Sequence, residues 1–448
     1  MRMTNAAATA IAAPPSAGQV RSGLSGVGRI VLVVLLLVIF EGAIRKWIAP
    51  GLTAPLILLR DLLALYVVFH ALTRGGLRRS RRLSIGMLAW SCCVIGWGLL
   101  QLTLGESNFK TYVIGLRFWL LYLWFAVAAA SVMSERDYLV AIRTLLITLL
   151  LMTPLAIVQH YAPPTSVLNH TPDTAPEDVF TVARGIVRTT GTFTFTAGFV
   201  FYLAMCAPFV LGLIESRKRS LRHLLYAMIA FGCMAASSLV SGSRGAVMVS
   251  AATLALYLVG NLVFAPMRKK GRAIVAALVV VLAAGATLYV LGDAVTATQE
   301  RFSAASQSED LGARILAVFL GEPWASQTAG VLGAGIGAGS NVAQFAESGS
   351  RDAFALAETE TGRSLLEGGL LGWLFLILKF ATVLTGSVIG LVLAVRTRSV
   401  FPVLIWTSVS IALLTWPVIG QITANGMFGL FFLLALLSVR YPRLQLFG

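Results

Sequence analysis

Long apolar runs, separated by clusters of basic residues, are the feature that most limits how this chain can fold. Each run is about 20 residues long, enough to cross the hydrocarbon core of a bilayer as a helix. Lipid offers no hydrogen bonds to free backbone groups, so such runs are expected to be α-helical. The 448 residues are 57% hydrophobic and only 12% charged, about half the charge of a soluble domain. We therefore predict an all-α polytopic membrane protein, and the composition excludes a soluble enzyme.

The apolar runs predict about twelve transmembrane helices. They lie at 30–48, 53–72, 84–103, 112–132, 138–159, 193–214, 224–241, 246–265, 273–291, 366–394, 400–418 and 425–439. The first run continues into charged residues without an Ala-x-Ala cleavage site. We interpret it as an uncleaved span and not as a signal peptide.

Basic residues give the predicted orientation. With the N-terminus inside, the inner segments hold 21 of the 35 Lys and Arg residues, an excess typical of the cytoplasmic side. Both termini are therefore predicted to be cytoplasmic, and the net charge of +16 requires no nucleic acid as a partner. The predicted organisation is a disordered N-terminal segment at 1–29, spans one to five within 30–159, an outer loop at 160–192, spans six to nine within 193–291, a large outer loop containing helices at 292–365, spans ten to twelve within 366–439, and a cytoplasmic tail at 440–448.

Several charged residues lie inside predicted spans, where each costs roughly 2.5–3.5 kcal/mol unless it finds a partner. Arg60 and Asp61 are adjacent in the second span and point in different directions, so each needs a partner on another helix. Glu41 and Arg117 are the candidates. The group is either a structural network or the floor of a polar cavity that binds substrate. For Lys379, in the tenth span, we expect an internal ion pair.

Three arginines stand on the predicted outer face, where basic residues are otherwise scarce. Arg184 and Arg188 precede the sixth span, and Arg244 lies in the turn between the seventh and eighth spans. The guanidinium group suits bidentate contact with phosphate oxygens. The alternative interpretation is that they anchor the protein to lipid headgroups.

A glycine-rich stretch at 330–341 lies in the large outer loop. It has no Walker lysine and follows no predicted strand, which argues against a nucleotide site. Gly335 and Gly337 are instead predicted to form a backbone-lined bend close to a substrate. A flexible connector is the alternative.

The end of the large loop combines carboxylates with an arginine at the mouth of a span. If this stretch is helical, Glu360, Arg363, Ser364 and Glu367 share one face. Arg363 and Glu367 are predicted to bind substrate. A carboxylate partly removed from water there, Glu358 or Glu360, could act as a general base. A solvated helix start with an acidic first turn is the other interpretation.

Neither a metal site nor another cofactor is predicted. The four cysteines lie in apolar runs, and the four histidines are scattered. Of the histidines, only His160 and His170 fall on the predicted outer side.

Five short motifs, in their order along the chain, resemble the O-antigen polymerase and O-antigen ligase superfamily of bacterial polysaccharide assembly. They are Glu41-Gly-x-x-Arg45-Lys46-Trp47, Arg188-Thr-Thr-Gly-Thr-Phe, Ser243-Arg244-Gly245, Gly335-x-Gly337-x-Gly339 and Glu367-x-Gly369-x-x-Gly372. The last four cover roughly residues 180–395, and the first resembles a subgroup of exopolysaccharide polymerases. This chain departs from the family pattern at one point. The family often has a His-Asn pair about nine residues before the glutamate of the last motif, and this chain has Glu358 and Thr359 there instead.

This resemblance implies a metal-independent glycosyltransferase of the bacterial inner membrane that works at the periplasmic face. Its donor would be a polyprenyl-pyrophosphate-linked oligosaccharide, and its acceptor a glycan hydroxyl. Arg188 and Arg244 would offset the charge of the departing pyrophosphate, supported by Arg184 and Arg363. Glu358 or Glu360 would replace the missing histidine as the base. Membrane lipids and other polysaccharide assembly proteins are the remaining expected partners.

Alternatives remain at this point. A ligase that transfers finished glycan to a lipid or protein acceptor uses the same chemistry, and the sequence does not separate it from a polymerase. A transporter of lipid-linked glycan would show repeats in its two halves, whereas the long outer loops here have no counterpart in residues 1–150. A noncatalytic assembly component is a further alternative.

Overall fold

The computed structural model describes residues 23–170, 187–215, 221–264, 311–343 and 359–443, with Ala357 and isolated positions between 285 and 299. These residues are almost all helical, and none of them forms a β-strand. The all-α prediction is therefore confirmed for this part of the chain.

The first half contains seven helices that follow one another through short connections. They are α1 (Gly26–Ala43), α2 (Thr53–Thr73), the short α3 (Gly76–Arg79), α4 (Arg81–Thr103), α5 (Phe109–Leu116), α6 (Tyr122–Val132) and α7 (Glu135–Tyr161). A π-helical turn at Ile44–Ile48 extends α1, and a second one at Arg117–Leu121 joins α5 to α6. Such turns insert an extra residue into a helix and often occur at functional sites.

The second half contains nine helices among the described residues. They are α8 (Thr196–Glu215), α9 (Leu221–Val240), α10 (Arg244–Phe264), α11 (Leu311–Leu320), α12 (Pro323–Thr328), α13 (Glu360–Gly368), α14 (Leu370–Thr397), α15 (Phe401–Thr415) and α16 (Ile422–Arg440).

Ten of the described helical segments are long and apolar enough to cross a membrane, and α15 is a shorter apolar helix. Ten of the twelve predicted spans thus have a counterpart, and the chain is a multi-pass membrane protein. The predicted span at 273–291 lies outside the described residues except for two isolated positions, so the count of twelve and the orientation stay predictions.

The predicted span at 366–394 starts in the wrong place. The helix that was predicted here is interrupted at Gly369, whose φ of 54° and ψ of −116° suit a residue without a Cβ. Leu366, Glu367 and Gly368 therefore belong to α13, and α14 begins only at Leu370. A hydropathy pattern does not detect this break, because apolar residues stand on both sides of it.

Two helices form the centre of the bundle. More than four-fifths of the apolar window of α8 and of α16 is buried, and α8 contacts α7, α9, α10, α15 and α16. A helix that is apolar on all sides belongs in such a position. In α2, α4, α10 and α14 only about a fifth of the window is buried. Their exposed leucines and phenylalanines form the surface that faces lipid.

Candidate functional site

The charges of Arg60, Asp61 and Arg117 are paired with opposite charges within the bundle. Nη1 of the fully buried Arg60 donates to both oxygens of Glu41, at 3.0 and 2.9 Å. Arg117 forms a bidentate pair with Asp61, at 2.7 and 3.2 Å, and the Tyr122 hydroxyl donates to the same carboxylate. The predicted partners are thus the observed ones.

This network contains two guanidinium groups and two carboxylates, so it carries no net positive charge with which to attract an anion. It joins α1 to α2, and α2 to the π-helical turn between α5 and α6. Arg117 also approaches the Asn425 side chain of α16, at 3.5 Å. The geometry of the network favours the interpretation that it is structural, although about a seventh of the Asp61 and Arg117 side chains stays exposed.

The segment that follows Arg188 is held in place by the end of the first span. The buried Lys46 ammonium donates to the Thr190 hydroxyl at 2.7 Å and to the carbonyls of Gly191 and Phe193, both at 3.2 Å. Thr192 donates to the carbonyl of Ile39 at 2.5 Å. Two motifs that lie about 145 positions apart in sequence therefore form one substructure.

Gln159, near the end of α7, fixes the same segment from the other side. Its amide nitrogen donates to the Gly191 carbonyl, and its oxygen accepts from the Gly191 amide, at 3.0 and 2.8 Å. Gly191 has a φ of 57°, a backbone conformation that favours glycine. The bend in the motif therefore requires this residue.

Arg188 and Arg244 are brought together at the corner where α9 ends and α10 begins. Two groups donate to the carbonyl of Val240 in this corner: the Thr189 hydroxyl, at 3.1 Å, and Nδ1 of His160, at 3.0 Å. Arg188 is half-buried, and its removal from water, together with the Arg244 charge, lowers its pKa. Among the described residues, no carboxylate forms a hydrogen bond or an ion pair with Arg188.

The glycine-rich stretch is closed around the carboxylate of Glu367. Oε2 accepts hydrogen bonds from the Gly337 amide at 2.9 Å and from the Trp119 indole at 2.8 Å, and Oε1 accepts from the Gly339 amide at 2.9 Å. Gly335 and Gly337 have φ values of 105° and 90°. Of the two glycines predicted to lie close to a substrate, Gly337 thus directs its amide to an internal carboxylate, and Gly335 directs its amide to the backbone carbonyl of Glu367.

Glu367 has no exposed surface, and its burial raises its pKa to about 7 against the opposing effect of these three donors. Gln101 strengthens the same region, because its amide donates to the carbonyls of Leu332 and Glu367 and accepts from the Ile336 amide.

Glu360 begins α13, and Thr359 caps this helix by accepting from the Gly362 amide. The predicted helical face therefore forms, with Glu360 and Glu367 buried and Arg363 half-buried. Glu360 Oε1 accepts from the Ile419 amide at 3.0 Å and lies 3.7 Å from Nζ of Lys379. The internal ion pair expected for Lys379 is thus present, and burial raises the pKa of Glu360.

Two residues predicted for the site, Arg184 and Glu358, lie outside the described residues. Several others were missed by the sequence reasoning: Lys46, Gln101, Trp119, Gln159, Glu322 and Asn425. Lys46, Gln101 and Gln159 share one detectable signal, because each is a polar residue inside a predicted span. Glu322 accepts from the Thr359 amide and hydroxyl at 2.8 and 2.9 Å, a contact that no local pattern indicates. Within the described part of the chain, no three His, Cys, Asp or Glu side chains gather as a metal site would need.

No protein-family model matches this chain, and neither a curated protein nor a solved structure is significantly similar to it.

Proposed function

We propose that this protein is a glycan polymerase of the bacterial inner membrane. It takes glycan from a polyprenyl-pyrophosphate-linked repeat unit and transfers it to a hydroxyl of an acceptor glycan at the periplasmic face. The product is a cell-surface polysaccharide or exopolysaccharide. Neither a metal nor another cofactor takes part in this chemistry.

The observation that carries the proposal is the corner between α9 and α10, where Thr189 binds the carbonyl of Val240 and the charge of Arg244 acts on Arg188. Two like charges repel, and half-burial increases the repulsion because it lowers the local dielectric constant. A pyrophosphate would offset the charge of Arg188 and would accept bidentate hydrogen bonds from a guanidinium group. Hydrogen bonds from Lys46 and Gln159 hold the segment that contains Arg188 and Thr190 in one conformation. A preorganised anion site requires such rigidity.

The transfer has two chemical requirements. A base removes the proton of the acceptor hydroxyl, whose oxygen then bonds to the anomeric carbon of the donor. The bond between that carbon and the pyrophosphate oxygen breaks, and polyprenyl pyrophosphate leaves with the electron pair. Arg188 and Arg244 stabilise the leaving group, and Glu360 or Glu358 takes the proton.

The remaining predicted residues have supporting roles in this proposal. Arg363 and Arg184 contact the donor from the aqueous side. The network of Arg60, Asp61 and Arg117 is joined through Glu41 to the first span, which leads into the Lys46 anchor, and it keeps the helices in register beneath the lipid headgroup.

The test is polymer formation in proteoliposomes that contain the purified protein and a polyprenyl-pyrophosphate-linked repeat unit. We expect a ladder of lengthening glycans for the wild type. For Arg188→Ala and Arg244→Ala we expect a rate lower by about 10²–10³-fold, typical of a lost transition-state donor. Arg74→Ala is the matched control, since Arg74 is exposed and follows α2. Unchanged ladders in both site variants would refute the pyrophosphate role.

A deletion strain separates the polymerase from its alternatives. Accumulation of single lipid-linked repeat units is the result expected for a polymerase. Long chains that stay lipid-linked would instead identify a ligase, and repeat units that never reach the outer face would identify a transporter.

A further inference from the structure

Among the described residues, three buried polar atoms without hydrogen-bond partners lie around the tight connection between α15 and α16. They are Oε2 of Glu360, Nζ of Lys379 and Oδ1 of Asn341. The side chain of Glu360 accepts from the backbone amide of Ile419, and the backbone amide of Asn341 donates to the carbonyl of Gly420. Because residues 419 and 420 are adjacent, the Glu360 side chain and the Asn341 backbone bind the same turn. We call Glu360, Lys379 and Asn341 the 419–420 site.

Burying these atoms without hydrogen-bond partners costs folding free energy. Glu360 is 1% exposed and Lys379 is 2% exposed, and their 3.7 Å separation is an ion pair but not a hydrogen bond. Among the described residues, the ammonium has no hydrogen-bond acceptor, and its other close contact is the face of the Phe375 ring, whose centre lies 4.7 Å away. A buried charge that is not fully hydrogen-bonded is strongly unfavourable, so the site is incomplete without a further polar group.

The chemistry of the three atoms selects that group. The ammonium donates, whereas the carboxylate oxygen and the amide oxygen accept. A hydroxyl group fits, because it accepts from Lys379 and donates its proton to Glu360 or Asn341. A metal cation is repelled by Lys379, and a phosphate is repelled by Glu360.

The depth of the site makes it reachable from the outer face. Lys379 precedes Arg396, in the last turn of α14, by 17 residues, or about 26 Å of helix. With Arg396 at the inner headgroups, Lys379 lies close to the outer edge of a hydrocarbon core about 30 Å thick. Arg363 and Asn341 are only half-buried, and Arg363 lies against Gly420, so the turn is partly open on their side.

We propose that the 419–420 site binds the reacting hydroxyl group of the acceptor glycan. This inference rests on the proposed function and adds its acceptor side. Lys379 and Asn341 hold the hydroxyl, and its proton passes to Oε2 of Glu360 as the oxygen bonds to the anomeric carbon. The corner of Arg188 and Arg244 is thereby assigned to the pyrophosphate of the donor, and the 419–420 site to the hydroxyl of the acceptor that attacks it.

The test compares steady-state kinetics for the acceptor and for the donor in the proteoliposome assay. Asn341→Ala removes a side-chain oxygen that can accept a hydrogen bond, and it leaves no charge unpaired. We expect this variant to raise the KM for the acceptor glycan at least fivefold, while the KM for the lipid-linked donor stays constant. Lys379→Met should raise the acceptor KM further. Lys110→Met is its control, because Lys110 is an exposed lysine.

If Lys379→Met does not fold, the double variant Glu360→Gln with Lys379→Met removes both charges and keeps the size of both side chains. We expect this variant to bind donor and to transfer no glycan. An acceptor KM that stays unchanged in Asn341→Ala, or a double variant that still transfers glycan, would mean that the site holds only a water molecule and would overturn the inference. Absence of polymer with the wild type would instead refute the proposed function itself.

Discussion

The ammonium of Lys46 donates a 2.7 Å hydrogen bond to the hydroxyl of Thr190 and so joins the end of the first span to the segment that carries Arg188. The same ammonium reaches the carbonyls of Gly191 and Phe193. One buried lysine thus donates to three oxygen atoms of the segment that follows Arg188. The position of Arg188 therefore depends on a residue 142 positions earlier in the chain.

Replacing Lys46 by methionine should destabilise the protein by about 3 kcal/mol, because buried acceptors lose a charged donor. Thermal unfolding in detergent measures this change, and we expect a parallel loss of polymer in the proteoliposome assay. Lys110→Met, at an exposed position, should have little effect. Equal stability of the two variants would show that the anchor is dispensable.

Gly42 is where the first span and the Arg188 segment touch through their backbones. A Cβ on Gly42 would overlap the carbonyl oxygen of Thr192 and the Cα of Phe193. Backbone atoms cannot move aside as a flexible side chain can, so Gly42→Ala should cost about 1–3 kcal/mol or more. Gly96→Ala is the control, since nothing lies within 4 Å of its Cβ and alanine favours a helix. Thermal unfolding should rank Gly96→Ala above the wild type and Gly42→Ala well below it.

The pair of Glu41 and Arg60 lends itself to a double-mutant cycle. Glu41→Leu leaves a guanidinium buried, and Arg60→Met leaves a carboxylate buried, so each change should destabilise the protein by about 3–5 kcal/mol. The double variant has neither charge, and we expect it to be clearly more stable than the sum of the single effects implies. Additive effects in the unfolding experiment would argue against direct coupling of the two residues.

Glu367 should make stability depend on pH. Burial raises its pKa from 4.5 to about 7, so between these values the folded state holds a proton that the unfolded state has released. The corresponding stabilisation is complete below about pH 4.5 and disappears as the pH rises through about 7, a loss of at most about 3 kcal/mol.

The measurement is the difference in unfolding temperature between the wild type and Glu367→Gln from pH 5 to 8. We expect the wild type to lose stability relative to the variant as the pH rises, since glutamine does not titrate. Glu106→Gln, at an exposed glutamate, should follow the wild type. A difference that is constant with pH would contradict the assignment.

Part of the site was predictable because a charge in an apolar run must find a partner. The need of Arg60 and Asp61 for partners, and the choice of Glu41 and Arg117, followed from this argument alone. So did the internal ion pair of Lys379. Which carboxylate pairs with which cation did not follow, because it depends on the rotation of each helix about its axis.

The role of Glu367 was out of reach of sequence reasoning. The motif placed it near glycines and suggested contact with a substrate, yet its carboxylate binds the amides of Gly337 and Gly339. These residues lie about 30 positions before it, on a bend whose shape depends on positive φ angles and on the close packing of Gly337 against Gly115. A local pattern contains none of this.

The sequence by itself determined that the chain forms membrane-spanning helices, and roughly where they lie, because a run of apolar residues of sufficient length decides this locally. Only the tertiary structure decided which polar groups meet: Lys46 with Thr190, Thr189 with Val240, and Glu360 with Lys379. Hydrogen bonds and ion pairs are directional and short, so their formation depends on helix packing across the whole bundle and not on the neighbours of a residue in the chain.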